Sequence, residues 1–388
     1  MIKSIYYFPL LILFPFLLKA DILTNQDSIH IGASMSLSGA YSTQGIAANN
    51  GYLLCEEHLN ARGGLIGKPI KFIIHNDESN SDRAKEIYQK LVENKAITAI
   101  MGPYGSTLTE AVADITESHQ MTMISPLAAT SSIWEQGRQY LFMVLPPAEL
   151  FLAGLVDLAD QQGLTRIAIL QEEQLFPEAA GNGAAKLVKE RGLELVLHQS
   201  YSSGKSDFSD IIEILKSQEV EVLGMAASSL SDFILFVQQM NEENLQLKMF
   251  GTSGAVDQFQ KELGPLAELT LGLSAWEPGL NNPGITEFTD DYKNLFGVNP
   301  SFHAAGAYGS CMLLAAAIKK AESLDQDKIR QELLEMETTT IFSNYAVDRR
   351  GYQTANKGLF IQWQNEKRVI VWPQEEANGQ LLLPDRYE

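Results

Sequence analysis

The chain has 388 residues, 45% of them hydrophobic, and a formal net charge of −19. That acidity argues against nucleic acid and anionic membrane as partners and favours solubility; it carries no information about fold. The length suits two domains of ordinary size.

The first twenty residues, MIKSIYYFPLLILFPFLLKA, carry an early lysine, an apolar stretch from Ile5 to Leu18 and a small residue at Ala20. The stretch is shorter than the ~20 residues of a membrane-spanning helix, and Pro9 and Pro15 interrupt it. Residues 1–20 are therefore expected to be a signal peptide cleaved after Ala20, which exports the chain. Losing Lys3 and Lys19 with it takes the charge from −19 to −21.

Ile29–Met35 is a β-branched run, followed by the Ser/Gly-rich loop SLSGAYSTQG, a helix-period segment, a Gly-Gly turn and a second apolar run, Ile70–Asn76. This is an opening βαβ unit. Further strands are predicted at Ile97–Met101, Met121–Ile124, Arg166–Leu170, Glu194–Tyr201, Val222–Ala226 and Lys248–Gly251. Helical patterns at Asp82–Glu93, Leu108–Ser118, Leu150–Gln162, Glu178–Arg191, Ser209–Ser217 and Ser231–Asn241 lie between them. Such alternation predicts an α/β protein with doubly wound parallel sheets, too many strands for one sheet.

The breakers LPPAE after Val144 and AWEPGLNNPG after Ser274 mark passages between two discontinuous lobes. Lobe 1 is assigned residues 28–145 plus 276–340, lobe 2 residues 146–275 plus 341–375. His303–Ala321 reads as a helix packing on lobe 1, and Gly358–Trp372 as a late β-hairpin. Cys55 falls on a helical stripe with Ala48, Tyr52 and Leu59, and Cys311 on one with Ala307, Tyr308, Met312 and Ala315. Each thiol is expected to point inward as a small buried hydrophobe, although facing stripes could also meet as a bridge.

Ligands of open α/β sheets bind at the carboxyl ends of the strands. The first such loop offers Gln44. The third, GPYGST, contains Tyr104 and sets Ser106 and Thr107 at a helix start, where free N–H groups and a hydroxyl suit a carboxylate; an ordinary N-cap is the competing role. The next loop, SPLAAT, adds Ala128, Ala129 and Thr130 as a second wall. From the other lobe come Phe176, Ser228 or Ser229, and Ser253, with Trp276 and Glu277 at a presumed hinge. The six histidines show no metal-ligand spacing and no defensible acid partner, and neither a G-x-S-x-G elbow nor a phosphate loop is present, so binding is favoured over catalysis.

SLSGAYSTQG, NARGGLIGKP, Asp77, GPYGST, SPLAAT, FGVNP, AESLD and IQWQ, in that order, resemble the periplasmic solute-binding proteins of the leucine/isoleucine/valine type. The resemblance implies a type I periplasmic binding protein: two lobes joined by three hinge crossovers, closing on a small-molecule solute and delivering it to an inner-membrane ABC permease. It also implies a monomer without a cofactor. Ser106 and the Ala128–Thr130 loop match the family's carboxylate-holding positions, and Gln44 its side-chain contact. Lobe 2 departs: Phe176 replaces a tyrosine, Ser228 or Ser229 an aromatic, and Ser253 the acid that pairs with an α-ammonium. Glu277 or Asp257 is the candidate substitute. The family's usual disulfide near the second strand is missing. The expected solute is a small carboxylate, an amino acid first, with other organic or aromatic acids or amides as alternatives. A ligand-sensing module of the same fold is the rival function, and an enzyme on an α/β scaffold a more distant one.

Overall fold

The computed structural model describes residues 28–254 and 257–384; the signal peptide expected over residues 1–20 lies outside them. The chain builds β1 (Ile29–Met35), α1 (Ser42–Ala61), β2 (Ile70–Asn76), α2 (Ser81–Glu93), β3 (Ile97–Met101), α3 (Ser106–Ser118), β4 (Met123–Ser125) and β5 (Leu141–Met143). These five strands form one all-parallel sheet in the order β2-β1-β3-β4-β5. β1 is central and buried on both faces, which is why it reads as a continuous apolar run rather than an alternating one. α2 shows the helical logic plainly. Asn80 caps it by accepting from the Arg83 N–H at 2.9 Å, and Ala84, Ile87, Tyr88 and Leu91 form the buried stripe.

The chain then crosses to a second sheet through α4 (Ala153–Gln161), β6 (Arg166–Glu172), α5 (Leu175–Glu190), β7 (Glu194–Tyr201), α6 (Ser209–Ser217), β8 (Val222–Ala226), α7 (Leu230–Glu242), β9 (Met249–Thr252), α8 (Asp257–Leu263) and β10 (Leu271–Ser274). It returns as α9 (Ile285–Phe296), α10 (Phe302–Ala321), α11 (Gln326–Glu335) and the small ladder β11 (Thr338–Thr339) with β12 (Asn344–Tyr345). A third passage leads to β13 (Leu359–Gln364) and β14 (Lys367–Trp372), which extend the second sheet antiparallel in the order β14-β13-β10-β9-β8-β6-β7. The β11–β12 ladder joins residues on both sides of 340/341. The third passage therefore lies between Tyr345 and Leu359.

The expected α/β fold with parallel sheets is present, and most strand bounds agree with the sequence pattern. The differences are local. Phe176, expected in a loop, is the second residue of α5, and α3 begins at Ser106 rather than Leu108.

The cysteines require a correction. Cys55 and Cys311 form a disulfide, with Cα atoms 6.4 Å apart and a sequence separation of 256. Both are buried, as their stripes predicted. However, the two inward faces are turned toward each other, so burial and bridging coincide. Gly51 makes the approach possible: a Cβ there would stand 2.2 Å from the Ala304 carbonyl oxygen. Small residues (Ala48 on α1, Ala304 and Ala307 on α10) line the rest of that contact.

Candidate functional site

The strand order reverses between β1 and β3 in the first sheet and between β6 and β8 in the second. Loops leaving adjacent strands in opposite directions open a crevice at each reversal. The two crevices face one another across a single cavity. Its wall includes Tyr41, Gln44, Tyr104, Ser106 and Thr107 from the first sheet's side and Phe176, Ser228 and Ser253 from the second's.

The first loop is anchored from below. Asp77 is buried and accepts from the hydroxyls of Ser34 at 2.7 Å and Ser36 at 2.6 Å and from the Ser79 N–H at 3.0 Å. Burial raises its pKa despite these bonds. Gly45 lets α1 start against this loop, since a Cβ there would lie 2.0 Å from the Ser36 carbonyl oxygen. Tyr41 and Gln44 are thereby held at the cavity edge.

The third loop holds the residues expected to meet a carboxylate. Gly105, at φ 81°, occupies the N-cap of α3 and makes no side-chain cap bond, so Ser106 is the first helical residue and not a cap. Its hydroxyl instead accepts from the N–H groups of Ala129 at 3.1 Å and Thr130 at 3.3 Å. A helix N-terminus, a hydroxyl and two loop amides thus converge at one point. Ala128, Ala129 and Thr130, expected to form a second wall, are buried behind Ser106 and do not line the cavity themselves; they act on it by holding the Ser106 hydroxyl.

Two contacts tie the sides together. The Thr107 hydroxyl donates to Gln174 Oε1 at 3.3 Å, and the Thr130 hydroxyl to the Leu175 carbonyl at 3.4 Å. Both bonds run from wall to wall across the cleft.

On the far wall, the Ser253 hydroxyl accepts from the Ala227 N–H and donates to the Ala227 carbonyl, both at 3.2 Å. The Ser228 N–H donates to Glu172 at 2.8 Å, and the Ser203 hydroxyl donates to the same carboxylate at 2.7 Å. Phe176 packs edge-on against Phe151, ring centroids 4.9 Å apart.

The structure places neither Trp276 nor Glu277 on the cavity wall. The Trp276 indole donates to the Ile341 carbonyl at 2.9 Å, and Glu277 pairs with Arg368 at 3.1 Å, both groups buried. The side chain of Asp257 lies outside the described residues. Among the described residues, no carboxylate lines the cavity.

The sequence did not single out Tyr41, Phe151, Phe233, Phe302 or His303, all on the wall. Tyr41 sat inside a loop already under suspicion. Phe302 and His303 open α10, a helix whose apolar pattern signals packing and gives no hint that its first turn meets the cleft. Burial lowers the His303 pKa to about 3, so its imidazole is neutral at physiological pH. The first prediction follows. Affinity for a carboxylate solute stays level between about pH 8 and pH 5, because no imidazolium forms there. Titration calorimetry across that range checks it; a rise in affinity toward low pH would show His303 taking a proton. Since the folded value lies below the ordinary 6.5, the share of stability that rests on a neutral His303 is lost as pH falls from there toward about 3.

A family profile described as "Periplasmic binding protein" matches residues 28–368. The Leu/Ile/Val-binding protein homolog 7 of Brucella suis is 24% identical over 378 residues, covering 92% of this chain and 94% of that protein. Two solved structures share the fold. The branched-chain amino acid transporter substrate-binding protein LivJ of Streptococcus pneumoniae, in complex with isoleucine, has a TM-score of 0.79 at 19% identity, covering 92% of this chain and 100% of that one. A solute-binding protein of an ABC transporter from Rhodopseudomonas palustris, in complex with 3,4-dihydroxybenzoic acid, has a TM-score of 0.76 at 20% identity, covering 88% and 95%. The chain belongs to the periplasmic binding protein family and has the type I fold.

Proposed function

We propose that the exported chain is the monomeric solute-receiving component of an ABC importer and that it closes on a small monocarboxylate with an apolar or aromatic body. The carrying observation is the make-up of the cavity wall. The Ser106 hydroxyl, held by accepting from the Ala129 and Thr130 amides behind it, offers a neutral donor to an anion beside the α3 N-terminus, and apolar side chains such as Leu127, Phe151, Phe176 and Phe233 surround the rest. A carboxylate is a strong acceptor for the proton of that hydroxyl. Gln44 Oε1 is buried on this wall without a hydrogen-bond partner. It is suited to accept from a hydroxyl on the solute's body. Binding would shift the two lobes toward the closed arrangement. Substrate chemistry is not needed for that role.

Amino acids, the leading expectation from sequence, become the second reading. The isoleucine complex of LivJ favours it, as do the buried acids Glu172 and Asp232 behind the Ser228 wall, whose charge helps raise the Tyr41 pKa to about 12 after burial itself. Against it, Ser253 is neutral and Glu277 is engaged by Arg368.

A thermal-shift screen of residues 21–388 against aliphatic and aromatic acids, their hydroxylated forms, amides and α-amino acids separates the two. A solute at 100 times its dissociation constant adds about 2.7 kcal/mol. Stabilisation by acids lacking an amine is the expected result. Stabilisation by α-amino acids alone would transfer the role of ammonium partner to another acid. Silence across the panel would favour a sensing module instead of transport.

A further inference from the structure

We propose that His58, Glu287 and Asp291 form a zinc site on the first lobe, separate from the solute cleft. His58 lies near the end of α1, and Glu287 and Asp291 lie one turn apart on α9, so two carboxylates share one helix face. One donor atom from each of the three lies within 4.8 Å of the other two, and His58 Nε2 is 3.1 Å from Asp291 Oδ2. Tetrahedral zinc with bonds of about 2.0–2.2 Å sets its donor atoms roughly 3.4 Å apart, so small side-chain movements complete the geometry. No local spacing marks it, because His58 and Asp291 lie 233 positions apart along the chain.

The second observation concerns the other ring nitrogen. His58 Nδ1 is 2.8 Å from the buried Tyr308 hydroxyl on α10. A metal-binding imidazole needs such a partner to fix its orientation and to receive the Nδ1 proton while Nε2 turns its lone pair to the cation. A tyrosine hydroxyl can donate or accept, so it serves both tautomers.

One group opposes the cation. Arg62 donates to Glu287 Oε1 at 2.6 Å, with both side chains about half exposed. Its release is part of the cost of binding zinc. The imidazole selects zinc over calcium and magnesium, which prefer oxygen alone. Gln44 stands fourteen residues earlier on α1, roughly 21 Å along the helix, so the cleft is not involved. A bound cation would tie α1 to α9, next to the disulfide that ties α1 to α10.

The experiment is competition for zinc between the chelator-stripped mature protein and a chromophoric chelator, with calcorimetric stoichiometry as a second readout. One zinc per chain is expected, not displaced by calcium or magnesium. Glu287→Gln with Asp291→Asn should weaken it tenfold or more, and Arg62→Ala should tighten it. Those three side chains are exposed enough for the variants to fold, which unchanged melting of the metal-free forms checks. No zinc uptake, uptake unaltered by the double carboxylate variant, or equal binding of calcium overturns the site.

Discussion

Replacing Cys55 and Cys311 together by alanine is expected to lower the unfolding free energy by about 2–4 kcal/mol. The bridge closes a loop of 256 residues, so in the unfolded chain it restricts almost the whole lobe-to-lobe excursion. Long loops gain most in the chain-entropy account, and the buried setting between two helices packed at Gly51 keeps the native geometry in place. Melting of the double variant, or of the wild type under reductant, checks this. A melting curve unmoved by either treatment would mean that α1–α10 packing alone supplies the stability. Because the bridge lies within the first lobe, solute affinity of the folded variant should be preserved.

The second large effect concerns Ser106. Ser106→Ala should weaken binding of a carboxylate solute by about 1–3 kcal/mol, the cost of leaving a charged group one hydrogen bond short. The serine is not a helix cap, since Gly105 holds that position, so the fold should tolerate the change. The substitution also removes the acceptor of the Ala129 and Thr130 N–H groups, which loosens the second wall. Titration calorimetry against the solute found in the screen gives the number. An unchanged dissociation constant would place the anion elsewhere in the cleft.

Much of the fold was legible because its interior strands are buried on both faces, and the edge strand Ile70–Asn76 keeps an apolar run despite its exposed Lys71 and His75. Ile29–Met35, Ile70–Asn76 and Ile97–Met101 stand out as β-branched runs, each ended by a loop with glycine or polar residues. The first-sheet half of the site was legible for the same reason: a strand end followed by a helix start is a local pattern, and Ser106 and Thr107 occupy one. What the sequence hid depends on pairs distant along the chain. Cys55 and Cys311, and His58 and Asp291, meet only through the return of the chain from the second lobe, and Glu277 and Arg368 only through its passage back into it. Glu277 illustrates the cost to inference. As a lone acid at a hinge it invited a role toward an ammonium, and only the position of β14 reveals that a buried arginine takes its charge. The α10 residues Phe302 and His303 were concealed differently: their burial fits a core helix, and the cavity they border is itself largely apolar.

The most direct test of the account is amide NMR of the deuterated mature protein during titration with the carboxylate that stabilises it best. The N–H resonances of Ser106, Thr107, Ala129 and Thr130 should shift together along one binding curve, with Phe176 and Ser228 following on the same curve as the lobes close. Saturable binding that leaves the Ser106, Ala129 and Thr130 amides unmoved would contradict the assignment of this loop pair as the carboxylate's seat.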